Sequence, residues 1–521
     1  MLCSIAALAV GPTAYAGVIQ NQTPAFVRSS PDLGAVNPSS RMSVTLILKH
    51  QNPEALDVFL SQVSDPSSKN YLQFLSPQEY KAQFAAAPQT LTAAKNFFTS
   101  HGLTVTSSDN DSVTASGTAA AVQSAFGVQI HNFKVKGVVQ RGNLNNPTVP
   151  DTFAASVDAV VGLSQHQMSP SHLFPHSPDG KQIGKQKVNA KSNGAFFPAQ
   201  CIGPVKTVSF TTNGGKPKAT YTGLTYGVPP GAGQTGSTSC GYQPSELYTA
   251  YGLNDVYAKG WKGDGQTIVI VDAFGSTTLR QDVALFDQIY GLPAINLQII
   301  GTPVPATDAN ILGWATETTL DVEWAHAIAP HAKIVLEIAP DNFDTSLMAA
   351  DQDAINKNLA HTFSHSFGAP ESTESTDGIA AWEKVIKQAV AQGIAMNFST
   401  GDDGDFQIDL GVGLKDVSFP SSSPFVTAVG GTSLALTSSN HRRFETGWGN
   451  NATEITVGNQ PLDPPAKLGF QFGAGGGPSH RFTRPSFQKG VTGPNRQQPD
   501  IGWLADPFTG VEIIFTDPTA G

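Results

Sequence analysis

A chain of 521 residues, 40% hydrophobic and 14% charged, is too long for one ordinary domain and can bury more than one core. Its 31 Lys and Arg against 41 Asp and Glu leave a formal net charge of −10, with the acidic residues spread along the chain. That balance argues against nucleic acid as a partner, because such binders carry a basic patch, and 51 Gly with 36 Pro suit a loop-rich exported surface.

The N-terminal "LCSIAALAVGPTAYAG" is a short apolar run followed by Ala14-Tyr15-Ala16. It predicts a signal peptide over residues 1–16, cut before Gly17, although the basic leading segment is missing. No later stretch is apolar for long enough to span a bilayer, so the mature chain is expected to be secreted, without a membrane anchor, and a monomer. It would keep only Cys201 and Cys240, which either pair across a flexible segment or stay as two thiols. Two cysteines alone do not make a zinc site.

From Arg41 to Leu163 the pattern is mixed. "MSVTLILKH" alternates like a strand, "PEALDVFLSQVSD" and "TLTAAKNFFTSHG" carry apolar residues at helical spacing, and "SVTASGTAAAVQSAFGVQIHNFKV" reads as strand, helix, strand. These make a compact α+β unit, 41–163. Over 164–239 the periodicity fails and Pro, Gly, Ser, Lys and Thr dominate, which predicts a cleavable linker. From Cys240 on, strands and helices alternate: "QTIVIVDAF", "LRQDVALFDQIYG", "AKIVLEIAP", "GIAAWEKVIKQAVAQG" and "IAMNFSTGDDG". That order predicts a parallel sheet with helices on both faces, with the chemistry beyond the carboxyl ends of the strands.

Within "WATETTLDVEWAHAIAPHAKI", Glu317 and Asp321 stand four residues apart on one face of a predicted helix. Leu320, Val322, Trp324, Ala325, Ala327 and Ile328 leave that helix little polar surface, so both carboxyls are expected to be buried and to share a proton. Asp402 follows a strand in a Gly-flanked turn, where it is either an ordinary turn residue or one facing a cleft. Asp272 ends "TIVIVD", at the place of a triad Asp in a subtilisin-like enzyme, but no His-containing segment supports a His-based triad, so a structural or cleft-lining role is expected. Glu323, His326 and His331 lack a further ligand set, and core or helix-surface roles are expected for them. "GAGGGPS" lacks the Lys of a phosphate loop. The Asn-x-Ser/Thr sites at Asn21, Asn110 and Asn451 matter only in a host that glycosylates.

Nine stretches, in order, carry a resemblance: "YQPSELYTAYGL", "GDGQTIVIVDAFG", "ETTLDVEWAHAIAP", "SHSFG", "STGDDG", "FPSSSPFVTAVGGTSL", "ETGWGNN", "GAGGGPSHRFTRPSFQ" and "RQQPDIGWLADPFTG". The region 240–521 resembles the sedolisin family, the serine-carboxyl peptidases, and 41–163 resembles their kumamolisin-type activation prodomain. The resemblance implies a subtilisin-like parallel sheet preceded by a smaller α+β, ferredoxin-like domain that covers the cleft until the linker is cut. It implies Glu317 as general base, Asp321 as the group that holds and charges it, and Asp402 as the acid that stabilises the oxyanion. The segment Ser364, Ser366 and Gly368 would pair with the substrate backbone as an added strand. Protein or peptide substrates and the chain's own prodomain are the implied partners.

The tripeptide Gly431-Thr432-Ser433 looks like a nucleophile turn but has Thr437 where the family's nucleophile motif has Pro. By the resemblance it is a structural strand and turn. The nucleophile belongs to a second Gly-Thr-Ser-x-x-x-Pro motif, and the family's calcium ligands follow it; neither is read before Gly521. The expectation is therefore an acid-acting serine-type endopeptidase zymogen whose peptidase domain is C-terminally incomplete. The competing expectation is a catalytically dead, peptidase-like protein that binds peptides.

Overall fold

The structure, a computed structural model, describes residues 16–135, 138–171, 186–187, 195–197, 206–211, 217–223, 242–406, 415–437, 439–453, 467–506 and 510–516. The predicted signal peptide up to residue 15, and both Cys201 and Cys240, lie outside the described residues. Two compact units are distinguished: Met1–His166 with Thr373–Lys384, and Gln167–Ser372 with Val385–Gly521.

In the first unit, β1 (Arg41–Leu48), α1 (Pro53–Ser64), α2 (Pro88–Ser100), β2 (Thr104–Ser108), β3 (Ser112–Thr118), α3 (Ala119–Phe126) and β4 (Val157–Val161) follow one another. The sheet order β2-β3-β1-β4, antiparallel throughout, is that of a ferredoxin-like fold. Alternation places Met42, Val44, Leu46 and Leu48 of β1 in the core. They meet Phe97 and Phe98 of α2 and Phe126 of α3, and the rings of Phe97 and Phe126 lie edge to face at 5.2 Å. Thr118 caps α3 by accepting from Ala121 N–H, and Gly127 ends it in the left-handed region at φ 62°. Ahead of β1, Asp32–Ala35 ladders onto Ile130–Val135, and Ala16–Val18 onto Thr148–Pro150.

The second unit is built on β5 (Thr267–Ala273), α4 (Leu279–Tyr290), β6 (Asn296–Ile300), α5 (Ala309–Ile328), β7 (Lys333–Ala339), α6 (Asp344–Asn356), β8 (Thr362–His365), β9 (Phe367–Pro370), β10 (Ala395–Ser399), β11 (Thr427–Leu436), β12 (Arg442–Gly447) and β13 (Ile501–Leu504). The large sheet runs β6-β7-β5-β8-β10-β11-β12, with β13 also on β11. Every pairing is parallel except β11 with β12. The predicted strands and helices therefore appear in the expected α/β order.

The predicted linker contains more pairing than its composition suggests. Lys206–Thr211 and Pro217–Gly223 form an antiparallel pair, and Ala195–Phe197 pairs with Gln186–Lys187 and with Phe515–Thr516. The short runs "TVSF" and "ATYT" carry β-branched and aromatic residues that favour an extended chain.

Residues 510–516 are held by polar groups that are partly or fully buried. Trp324 donates from Nε1 to the Glu512 carbonyl at 2.8 Å, Tyr290 donates its hydroxyl to the Glu512 carboxyl, and Glu323 accepts from Ile514 N–H at 2.9 Å. Burial pushes the Glu512 carboxyl up to about 7, against about 4.3 in an unfolded chain. The folded chain then binds that proton more tightly, so the stabilisation is complete below the unfolded value and is lost as pH rises through about 7. Urea unfolding followed from acid to neutral pH is expected to show a loss on the order of 3 kcal/mol from this group. Glu512→Gln should flatten that part of the profile; an unchanged slope would show that Glu512 does not carry it.

Candidate active site

Helix α5 begins at Asp308, whose carboxylate accepts from Ile311 N–H at 3.0 Å, and it runs through the interior rather than along the surface. Trp314 to Thr319 are all buried, as are Val322, Glu323, His326 and Ala327. Glu317 and Asp321, one turn apart, open into a cavity of about 500 Å³ that Ser366, Ser399 and Asp402 also line. Ser366 donates its hydroxyl to Asp321 Oδ1 at 2.9 Å. Burial pushes the carboxyls of Glu317 and Asp321 well above their ordinary range; like-charge repulsion from Asp272 adds to it for Glu317 and from Glu317 for Asp321, while the Ser366 hydroxyl works the other way on both.

Asp272 is the residue whose part the sequence did not reveal. It closes β5, is fully buried, and sits within electrostatic reach of both carboxyls of α5. Burial first and Asp321 second hold its own proton on, with the Thr318 hydroxyl opposing. The available signal was position alone, an acidic residue at the carboxyl end of a buried parallel strand. Three neighbouring carboxyls in a low dielectric titrate together, so the protons belong to the group rather than to one residue.

Asp402 reaches the same cavity from a turn after β10. The turn is fixed by its backbone: Thr400 N–H donates to Val429 O at 2.9 Å, Gly475 N–H to Gly401 O at 2.9 Å, and Gly473 N–H to Asp402 O at 2.6 Å. Gly401 takes φ 81°, a conformation that disfavours a side chain. The Gly-rich "GAGGG" therefore serves close approach of two backbones. A Cβ on Gly475 would stand 1.8 Å from the Thr400 carbonyl oxygen.

The predicted substrate segment divides in two. Ser364 lies inside β8, in register with Ile270 on one side and Asn397 on the other, so its backbone is committed to the sheet. The chain then leaves the sheet. His365 is buried, its Nε2 at 2.8 Å from Asp351 Oδ1 and its ring stacked on Phe398 at 4.0 Å. Beyond it, Ser366 and Gly368 do meet an added strand, formed by Ser169–Pro170. Ser169 stands opposite Gly368 and Pro170 opposite Phe367 in an antiparallel pair, and Ser171 N–H donates to Ser366 O at 2.8 Å. Ser399 donates its hydroxyl to Ser171 Oγ at 2.8 Å, which brings this strand to the wall of the cavity.

Ser433 takes no part in this grouping. It lies in β11 and donates its hydroxyl to Asp506 Oδ2 at 2.6 Å. Glu323 turns to Ile514, His326 to Pro293 O and Asp287, and His331 to Asp264, so these residues have separate partners. Among the described residues no three His, Cys, Asp or Glu side chains converge as a metal site. Replacing Gly475 by Ala is expected to destabilise the chain by about 1–3 kcal/mol through overpacking. A Gly475→Ala chain with the wild-type urea midpoint would show that the Asp402 turn yields freely.

Both units of the chain are similar to known proteins. Residues 28–166 match the pro-kumamolisin activation domain, and residues 310–462 match the subtilase family. Kumamolisin of Bacillus sp. (strain MN-32) is 26% identical over 523 residues, spanning 97% of this chain and 80% of that protein. Sedolisin of Pseudomonas sp. (strain 101) is 25% identical, spanning 94% and 75%. Among solved structures, Pseudomonas sedolisin, a serine-carboxyl proteinase complexed with two molecules of pseudo-iodotyrostatin, has a TM-score of 0.45 and 26% identity over 54% of this chain and 75% of that one. The chain thus carries an activation domain of the pro-kumamolisin kind ahead of a subtilase-type α/β domain, and in that arrangement it is similar to the sedolisin family of serine-type peptidases.

Proposed function

We propose that this protein is the zymogen of a secreted, acid-acting endopeptidase in which carboxyl groups replace the usual His. The observation that carries the reading is the convergence of Glu317, Asp321 and Asp402 on one cavity beside an extended peptide segment. In the proposed reaction a serine hydroxyl attacks the peptide carbonyl carbon while Glu317, as carboxylate, takes the hydroxyl proton. Asp321 holds Glu317 in place. Asp402, protonated, donates to the oxyanion, and the proton on Glu317 passes to the leaving amine as the intermediate collapses. Asp402 donates only while protonated, which sets the upper pH limit of the proposed reaction, and Glu317 must have given up its proton, which sets the lower one.

The attacking serine is expected to come from a second Gly-Thr-Ser motif outside residues 1–521, since Ser433 is turned to Asp506. Residues 1–521 alone are then inactive. A second reading, a peptide-binding protein without turnover, is supported by one observation: strand addition at Ser366–Gly368 needs no nucleophile. Peptide substrates and the chain's own activation domain are the proposed partners, and a monomer without nucleic acid or membrane association is the proposed state.

The test compares the product of the whole open reading frame with residues 1–521, using denatured casein from about pH 3 to about pH 8. Hydrolysis by the longer product only, greatest in acid and lowered about 10²–10⁴-fold by Glu317→Gln, is the expected result. An optimum above neutral pH would sink the role given to Asp402. Full activity of Glu317→Gln would sink the base, and no hydrolysis by either product would leave the peptide-binding reading.

A further inference from the structure

One residue before Ser366 the chain buries a polar pair that the proposed reaction does not use. His365 ends β8, Asp351 comes from α6, and both side chains are fully enclosed. His365 Nε2 stands 2.8 Å from Asp351 Oδ1, and its Nδ1 stands 3.1 Å from the Asn397 carbonyl oxygen on β10. The ring is clamped as well: it stacks on Phe398 at 4.0 Å with 7° between the planes and meets Phe367 edge to face at 5.6 Å.

A neutral imidazole has one N–H, whereas here both nitrogens face acceptors. A carbonyl oxygen cannot donate, so Nδ1 carries a proton toward Asn397, and a second proton lies between Nε2 and the Asp351 carboxyl. Imidazolium with carboxylate and imidazole with carboxylic acid are two forms of one neutral pair, which suits a buried site. Glu337 of β7, pushed up to about 7 chiefly by burial, is within electrostatic reach of Asp351, and Asp353 and Lys357 act on it from the end of α6.

The consequence falls on the next residue. Adjacent residues of an extended chain point to opposite sides, so His365 turns to α6 while Ser366 turns to α5. There the Ser366 hydroxyl donates to Asp321 Oδ1 at 2.9 Å. It favours the ionised form of Asp321 and Glu317 against burial and against repulsion among Asp272, Glu317 and Asp321, and Asp402 lines the same cavity.

We propose that His365 and Asp351 are positioning residues for the reacting carboxyls: the buried pair, fastened to α6 and β10, fixes the end of β8 so that the Ser366 hydroxyl stays on Asp321. The role in catalysis rests on the reading of Glu317 as the base. Displacing the hydroxyl removes a bond to the ionised form, so the carboxyls would give up their protons only at higher pH. Because Glu317 acts without its proton, the acid limb of the reaction would move up with them.

The test reads the carboxyls directly. Residues 1–521, carbon-labelled at the Asp side-chain carboxyl, are titrated by NMR, with the Asp321 signal identified by its loss in Asp321→Asn. Ser366→Ala is expected to raise the Asp321 midpoint by about one pH unit. The double variant His365→Phe/Asp351→Leu replaces the pair by apolar groups and should fold. It is expected to raise the midpoint as much, and no further when Ser366→Ala is added. Asp351→Ala should raise it too, whereas Asp351→Asn, whose amide can donate to Nε2 of a neutral imidazole, should restore the native value. A native midpoint in the folded double variant or in Asp351→Ala would overturn the positioning role, as would rises that add to that of Ser366→Ala. In the product of the whole open reading frame, the same variants should move the acid limb of casein hydrolysis upward. A raised Asp321 midpoint with an unmoved limb, or with no hydrolysis at all, upholds the positioning of Asp321 and sinks the catalytic reading of Glu317.

Discussion

The placement of acidic side chains inside α5 is the constraint on which the second unit depends. Two carboxyls face the cavity, a third on the opposite side holds Ile514, and Asp272 approaches from the end of β5. Ionising all of them in a low dielectric is costly, so the folded chain retains protons that an unfolded chain at neutral pH would release. Acid conditions therefore favour the fold, while the proposed chemistry needs the proton gone from Glu317. A surface helix with the same residues would carry two solvated carboxylates of ordinary acidity and no comparable link between stability and reaction.

The cavity is assembled from chain segments that each had to stop being regular structure. Strand β8 ends at His365, pinned by Asp351 and Phe398, and the next residue is released to bond Asp321. Strand β10 ends at Ser399, and the turn beyond it is fastened to the Gly-rich segment through backbone bonds that a Cβ at Gly475 would block. The polar side chains of the site thus stand at strand ends in the connections, while the sheet beneath them supplies rigidity.

The proposed peptide recognition in this cleft rests on main-chain contact. The added strand on Ser366–Gly368 uses main-chain groups that every peptide has, and so supplies affinity without choice.

Much of this was legible in the residues. The order of strands and helices, the burial of α5 and the one-turn separation of Glu317 and Asp321 follow from periodicity and four-residue spacing, which are local features, whereas the Gly-flanked turn left Asp402 open between a turn residue and a cleft residue. The hairpin within the predicted linker was hidden because short β-branched runs are outweighed by Gly and Pro in composition. Ser364 could not be told from Ser366 by spacing, since the point where a strand leaves its sheet is set by neighbours such as Asp351 and Phe398 from elsewhere in the chain. The coupling of Asp272 to α5 joins residues distant in sequence, and only the packing of the sheet against its helices brings them within reach. The sequence by itself determined which groups were acidic, apolar or turn-forming and in what order they came. The tertiary structure alone decided which of them share protons and which line the cavity, because burial and proximity depend on contacts that no local pattern encodes.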